Sequence, residues 1–152
     1  MVARVKGQYM TREPMPSRRH IWRQKVRITD TDTGAEHTFY IDFGEYPDGC
    51  LGEVFITSKR MGTFARGVLD TLARSISLGL QSGTSPLDVA RQLRGQDYPP
   101  QGAVTAEGSS VMHCTSIADY IGQEIEACYG KDGGHQTVLE KVAGYIPEKW
   151  RS

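Results

Sequence analysis

No apolar run in this sequence approaches the roughly 20 residues that span a bilayer, and its first ten residues, MVARVKGQYM, lack the apolar core of a secretory signal. The expectation is a soluble, cytoplasmic protein without a membrane partner. Net charge is missing as well. Lys plus Arg number 18 and Asp plus Glu number 18, so no global field draws the chain onto a nucleic acid polymer or an anionic surface, and no such polymer is expected as a partner. Any anion site must be local. Cysteine is scarce and odd in number: Cys50, Cys114 and Cys128 are widely spaced, which fits reduced thiols better than a disulfide framework. Together with His20, His37, His113 and His135 they show neither CxxC nor HxxxH spacing, so no metal is expected, and the adjacency of His113 and Cys114 reads as coincidence. No carboxylate pair stands out for acid/base work, since Glu124 and Glu126 fall on different faces of one helical pattern and read as solvated charge. Finally, 152 residues make one ordinary domain, which excludes a large multi-domain enzyme.

What is present begins with a polar arm. Residues 1–18 contain Pro14 and Pro16 and hold no sustained period, so a flexible arm is expected. From His20 the chain alternates: Trp22, Val26 and Ile28 lie on one side of an extended segment, and Arg23, Lys25 and Arg27 on the other. The turn residues DTDTG follow, and Phe39, Ile41 and Phe43 then alternate with Thr38, Tyr40 and Asp42. YPDG marks another turn, and residues 53–57 make a third short strand.

After Gly62 the period becomes helical, with Met61, Phe64, Ala65, Val68, Leu69, Leu72, Ala73, Ile76 and Leu80 recurring at three and four until Gly83. A second helix opens at Ser85 with Pro86 at its first position and Asp88 in its first turn. Residues 96–110, rich in Pro, Gly and Ser, read as a long functional loop able to fold over a ligand. A third helix is written by Ile117, Tyr120, Ile121, Ile125 and Cys128 behind the capping candidates Thr115 and Ser116, and residues 137–145 suggest a short terminal helix. The expected fold is α+β: a three-stranded antiparallel sheet followed by three or four helices packed on one face. A domain over 19–129 with a C-terminal extension over 130–152 follows from the same reading.

Two stretches could hold a ligand. In FITSKRMGTFARG, residues 55–67, the basic residues Lys59 and Arg60 and then Gly62, Thr63 and Arg66 stand between a strand and a long helix, where backbone N–H groups and the helix dipole favour an anion. The spacing is not that of a P-loop, and a plain turn uses the same residues for steric reasons. The second stretch is the basic strand face, Arg23, Lys25 and Arg27. Its simpler reading is a solvated face paired across strands with Asp42 or Glu53, and its functional reading is a ligand-binding face with Tyr40 or Tyr46 stacking on a base.

GEVFITSKRMGTFARGVLDTLARSISLGLQSG, residues 52–83, then SPLDVARQLRGQDYPPQG and CTSIADYI carry a resemblance. From Arg18 to about Tyr129 the chain resembles the TSCPD domain found at the C-terminal end of cobalamin-dependent (class II) ribonucleotide reductases and in small free-standing proteins. The motif that names that family here reads Thr115, Ser116, Ile117, Ala118, Asp119, without its Cys and Pro, so no role of that cysteine passes to Cys114. The resemblance implies a neighbourhood of nucleotide chemistry. It does not imply the reductase reaction, since the chain lacks room for the radical, cobalamin and redox-cysteine sites.

The expectation is a non-catalytic module, with no cofactor, that binds a phosphorylated nucleotide. Lys59, Arg60, Gly62, Thr63 and Arg66 would hold phosphates, with Arg23, Lys25, Arg27, Thr115 and Ser116 as additional candidates. Its use would be as a reductase accessory or as a sponge of the kind phages deploy against cyclic-nucleotide immune signals. The alternative is an assembly protein acting through protein contacts. A homo-oligomer fits both, since three strands leave edges and an open face.

Overall fold

The structure, a computed structural model, describes residues 11–130 and Gly134. Its elements are β1 (His20–Asp30), β2 (Glu36–Glu45), β3 (Leu51–Ser58), α1 (Thr63–Gln81), α2 (Pro86–Leu93), β4 (Gly102–Thr105), β5 (His113–Cys114) and α3 (Ile117–Cys128). The strands form one sheet in the order β3-β2-β1-β4-β5, with every neighbouring pair antiparallel.

Hydrophobic alternation sets the hairpin register. Trp22 lies opposite Phe43, Gln24 opposite Ile41 and Val26 opposite Phe39, which puts these side chains on one face. Trp22 and Phe43 stack with ring centroids 4.3 Å apart. The turn between β1 and β2 is held by Asp30, whose Oδ1 accepts the backbone N–H groups of Asp32 and Thr33 at 3.0 Å each. Gly34, at φ +71°, supplies the left-handed residue that a side chain would resist.

The inward face of the sheet (Val26, Ile28, Phe39, Ile41, Phe43, Val54, Val104) forms one core with Leu69, Ile76 and Leu80 of α1, Val89, Ala90 and Leu93 of α2, and Ile117, Tyr120, Ile121 and Ile125 of α3. α2 is capped as its sequence predicts: the Ser85 hydroxyl accepts the Asp88 N–H at 3.1 Å, with Pro86 at the first helical position.

The outer edge of β3 is closed by α1 rather than left open to pairing. The Val54 N–H donates to the Ser77 hydroxyl at 3.0 Å, and the Gln81 side-chain amide donates to the Gly52 carbonyl at 3.0 Å. Gln81, itself buried, also accepts from Arg12 Nε at 2.8 Å, while its backbone carbonyl accepts from the Glu13 N–H. The described part of the N-terminal arm thus runs beside α1 and β3. Farther along it, Arg19 pairs with the buried Glu53, which lies over Gly44, where a Cβ would overlap it.

The α+β class holds, but the sheet has five strands and not three, and three helices are found among the described residues. The two extra strands come from residues 96–114. β4 is only GAVT, yet it pairs with β1 through Arg27↔Thr105 to Asp30↔Gly102, and β5 adds two residues beyond it. Four and two residues are too short to establish a period against flanking Pro and Gly. Part of the stretch read as a long loop, residues 102–105, therefore extends the sheet. The helix expected over 137–145 lies outside the described residues. No helix among the described residues is long and apolar enough to cross a membrane.

Candidate functional site

The sheet face opposite the helices carries the odd residues of β1 and the even residues of β2. The register sets Arg23 beside Asp42, Lys25 beside Tyr40 and Arg27 beside Thr38, and Tyr40 in turn beside Thr57 of β3. Three cations in a row on one strand repel unless anions lie nearby, and the structure resolves them individually. Arg23 makes a two-pronged pair with Asp42 at 2.7 and 2.9 Å. Arg27 stands 3.9 Å from Glu36. Lys25 is in no carboxylate pair among the described residues. Glu53, the other expected partner, is engaged by Arg19 instead.

At the end of β3 the chain turns through Ser58, Lys59, Arg60 and Met61 toward α1. This turn folds beside the end of the hairpin and encloses a cleft of about 320 Å³, lined by Lys25, Arg27, Tyr40, Lys59 and Arg60 together with Glu36, His37, Thr38, Ser58 and Met61. Two stretches more than thirty residues apart in sequence thus share one cavity. Lys59 Nζ lies 5.4 Å from the Tyr40 ring centroid and the Arg23 guanidinium 5.3 Å from it, so the phenol is flanked by two cations. Lys59 and Arg60, like Lys25, have no carboxylate partner among the described residues.

The remaining sequence candidates lie elsewhere. Gly62 is the exposed N-cap of α1, whose first turn has neither a side-chain cap nor an acidic residue. Its carbonyl accepts the Arg66 N–H at 3.1 Å, and Arg66 itself is exposed outside the cleft wall. Thr63 lines a shallow apolar groove along the outer side of α1 with Phe64, Gly67, Val68 and Leu72. Phe64 is 85% exposed and Val68 50%, although their spacing reads as core.

Thr115 and Ser116 are engaged at the start of α3. The buried Ser116 hydroxyl accepts the Asp119 N–H at 2.9 Å, and the Thr115 hydroxyl donates to the Gln96 carbonyl at 2.8 Å. Asp119 ties this corner together: it accepts from the N–H groups of Gly95 at 2.8 Å and Thr115 at 3.1 Å and from the Gln123 amide at 2.9 Å. Burial alone would raise the Asp119 pKa, but these donors and Arg94 together hold it below the ordinary carboxylate value. Its stabilising effect is therefore complete above the unfolded value of about 4 and is lost as pH falls through the lower folded value. Asp119→Asn, which sets an amide against N–H donors, is expected to cost about 1–3 kcal/mol at neutral pH. That difference should shrink below about pH 4 when urea midpoints of the two proteins are compared across pH.

Other buried polar groups are satisfied structurally. Glu124, read from sequence as solvated, is 2% exposed and accepts from the hydroxyls of Ser109 and Tyr120. Glu126 stays on the surface and pairs with Arg94. Tyr129 donates to Glu45 at 2.6 Å and accepts from Trp22 Nε1 at 3.0 Å. Burial pushes the Cys114 thiol up to about 11, which makes it a poor nucleophile at neutral pH. No group of His, Cys, Asp and Glu among the described residues is arranged to hold a metal ion.

The TSCPD domain pattern matches residues 12–129, most of the chain. The chain belongs to the TSCPD domain family. Among its curated relatives are the vitamin B12-dependent ribonucleotide reductases of Bradyrhizobium diazoefficiens, 34% identical over 118 residues, and Agrobacterium fabrum, 31% identical over 118 residues. That of Rhodopirellula baltica is 30% identical over 128 residues. These alignments cover 78%, 78% and 79% of this chain but 9%, 9% and 12% of the respective reductases. The TSCPD domain described here therefore corresponds to a small part of a much larger enzyme. No solved structure gives a significant match. Within the TSCPD domain the naming motif, at Thr115 to Asp119, serves as a helix cap and corner clasp beyond β5, while the cleft lies on the sheet face opposite the helices, beside β1, β2 and the β3–α1 turn.

Proposed function

We propose that this TSCPD domain is a non-catalytic module that binds a phosphorylated nucleotide in the cleft between the hairpin and the β3–α1 turn. One observation carries the reading: Lys25, Arg27, Lys59 and Arg60, from two separate elements, converge on one cavity around Tyr40. Of these, Lys25, Lys59 and Arg60 have no carboxylate partner among the described residues, which suits phosphate, and Tyr40 adds an aromatic wall that holds Lys59 by its ring. The cleft's volume lies at the lower end of the range for small-molecule sites. Similarity to a part of enzymes named as ribonucleotide reductases adds nucleotide chemistry to the context. The same site serves either use named above, a reductase accessory or a sponge that holds a cyclic nucleotide intact.

The test is calorimetry with a panel of nucleotides. Lys59→Ala and Arg60→Ala should each weaken binding about three- to tenfold while the proteins keep their melting temperatures, because both side chains are exposed and lie outside the core. Affinities equal to the parent's in both variants would remove the turn from the site.

A second reading draws on the outer side of α1, where Phe64, Val68 and Leu78 present apolar surface at helical spacing. If that face assembles the protein, Phe64→Glu shifts elution on a sizing column toward a smaller species; unchanged elution counts against assembly through α1.

A further inference from the structure

The cleft does not end at Lys25 and Arg27. Beyond the same two side chains a second groove of about 390 Å³ continues toward β4, lined also by Arg23, Gln24, Thr105 and Glu107. Lys25 and Arg27 therefore form a wall common to two grooves on one sheet face. From Thr57 on β3 through Tyr40 on β2 and the β1 cations to Thr105 on β4, the register sets these positions side by side. The track crosses three inter-strand spacings, about 14 Å, several times the roughly 3.4 Å that separates successive stacked nucleotides of one strand. A ligand confined to the first cleft would leave the second groove empty.

We propose that this face binds a short single-stranded oligonucleotide laid across the strands from the Lys59 and Arg60 turn to Thr105. The proposal rests on the nucleotide reading of the cleft and adds the second groove to it. Charge complementarity supports it, because the carboxylates beside the track are few. Three carboxylates face five cations: Asp42 is engaged by Arg23, Glu36 lies by Arg27 and Glu107 lines the second groove, whereas Lys25, Lys59 and Arg60 have no carboxylate partner among the described residues. Phe55, 43% exposed and opposite Asp42 in the register, supplies an apolar surface for a base, while Tyr40, with Arg23 and Lys59 over its ring, holds those two cations beside the track. The zero net charge of the chain limits the ligand: a local track holds a few phosphates and gives no hold on a long polymer.

Fluorescence anisotropy with labelled deoxythymidine and uridine hexamers, beside calorimetry with dTTP, tests this. The better hexamer should bind at least tenfold more tightly than dTTP, with a log affinity against log salt slope of about −2 to −3 for three or four phosphates. Thr105→Glu, an exposed position in the second groove only, should weaken the hexamer about tenfold and leave dTTP unchanged. Hexamers that bind no better than dTTP, or a Thr105→Glu variant that affects both ligands alike or neither, would overturn the extended track and leave the cleft reading standing. Absence of binding by dTTP and by both hexamers would overturn the two together.

Discussion

Lys25→Glu is expected to weaken nucleotide binding about a hundredfold, equivalent to about 2.8 kcal/mol, with little change in melting temperature. The position is unusual in the fold. Lys25 is exposed at the middle of β1, opposite Tyr40, and belongs to the walls of both grooves. Since no carboxylate among the described residues pairs with it, reversal breaks no ion pair, and its outward direction leaves the core untouched. What changes is the field in the cleft: one attraction to phosphate is lost and one repulsion is added. Calorimetry with the nucleotide that gives the largest thermal shift measures the ratio. Arg23→Glu, by contrast, also strands Asp42 and so confounds binding with stability.

The largest expected stability effect belongs to Gly102→Ala, about 3 kcal/mol or more by urea denaturation. Gly102 opens β4 at φ +147°, and a Cβ there would overlap the Thr29 carbonyl oxygen and meet Thr31 Oγ1 at 2.7 Å. The first of these is backbone in the neighbouring strand and has no rotamer to yield. Relief requires β4 to move off β1, which disturbs the Asp30↔Gly102 and Gly102↔Cys114 pairings on both sides. Gly67→Ala is the matched control: it lies within α1 with open space around it, so the same methyl group should stabilise by about 0.5–1 kcal/mol. A Gly102→Ala midpoint within about 1 kcal/mol of the parent would mean that β4 does not dock on β1 as described.

The contrast between these glycines also marks what the sequence could tell. The β1–β2 hairpin is legible because ten consecutive register pairs repeat a period of two, and α1 is legible because four of its inward residues, Leu69, Ala73, Ile76 and Leu80, repeat at three and four. β4 is not, since its partner lies more than seventy residues away at Asp30, and no local pattern encodes that pairing. Phe64 and Val68 fit the helical period yet face outward, because α1 is apolar on more than the side that packs. Glu124 reads as surface charge, and only the fold brings Ser109 and Tyr120 to it.

The candidate site was legible in pieces. Lys59 and Arg60 stood out at a strand-to-helix turn, and Lys25 and Arg27 on a strand face. Their convergence was not evident, though the position of the Asp30 turn fixes Lys25 beside Tyr40 and Arg27 beside Thr38. Extending that register to β3 would also have placed Tyr40 beside Thr57, one residue from Ser58, whose turn closes the cleft.

The most direct test of the account is a thermal-shift panel run in parallel on the parent and on Lys25→Glu. The panel holds nucleoside mono-, di- and triphosphates, adenosylcobalamin, ADP-ribose derivatives and cyclic di- and trinucleotides, and the ligand is recovered afterwards by chromatography. A nucleotide at 100 times its dissociation constant should stabilise the parent by about 2.7 kcal/mol, a rise of several degrees. The account predicts such a rise in the parent and only about 0.4 kcal/mol in Lys25→Glu at the same concentration, with the nucleotide recovered intact. No rise with any nucleotide, an equal rise in Lys25→Glu, or recovery of a chemically altered nucleotide would contradict it.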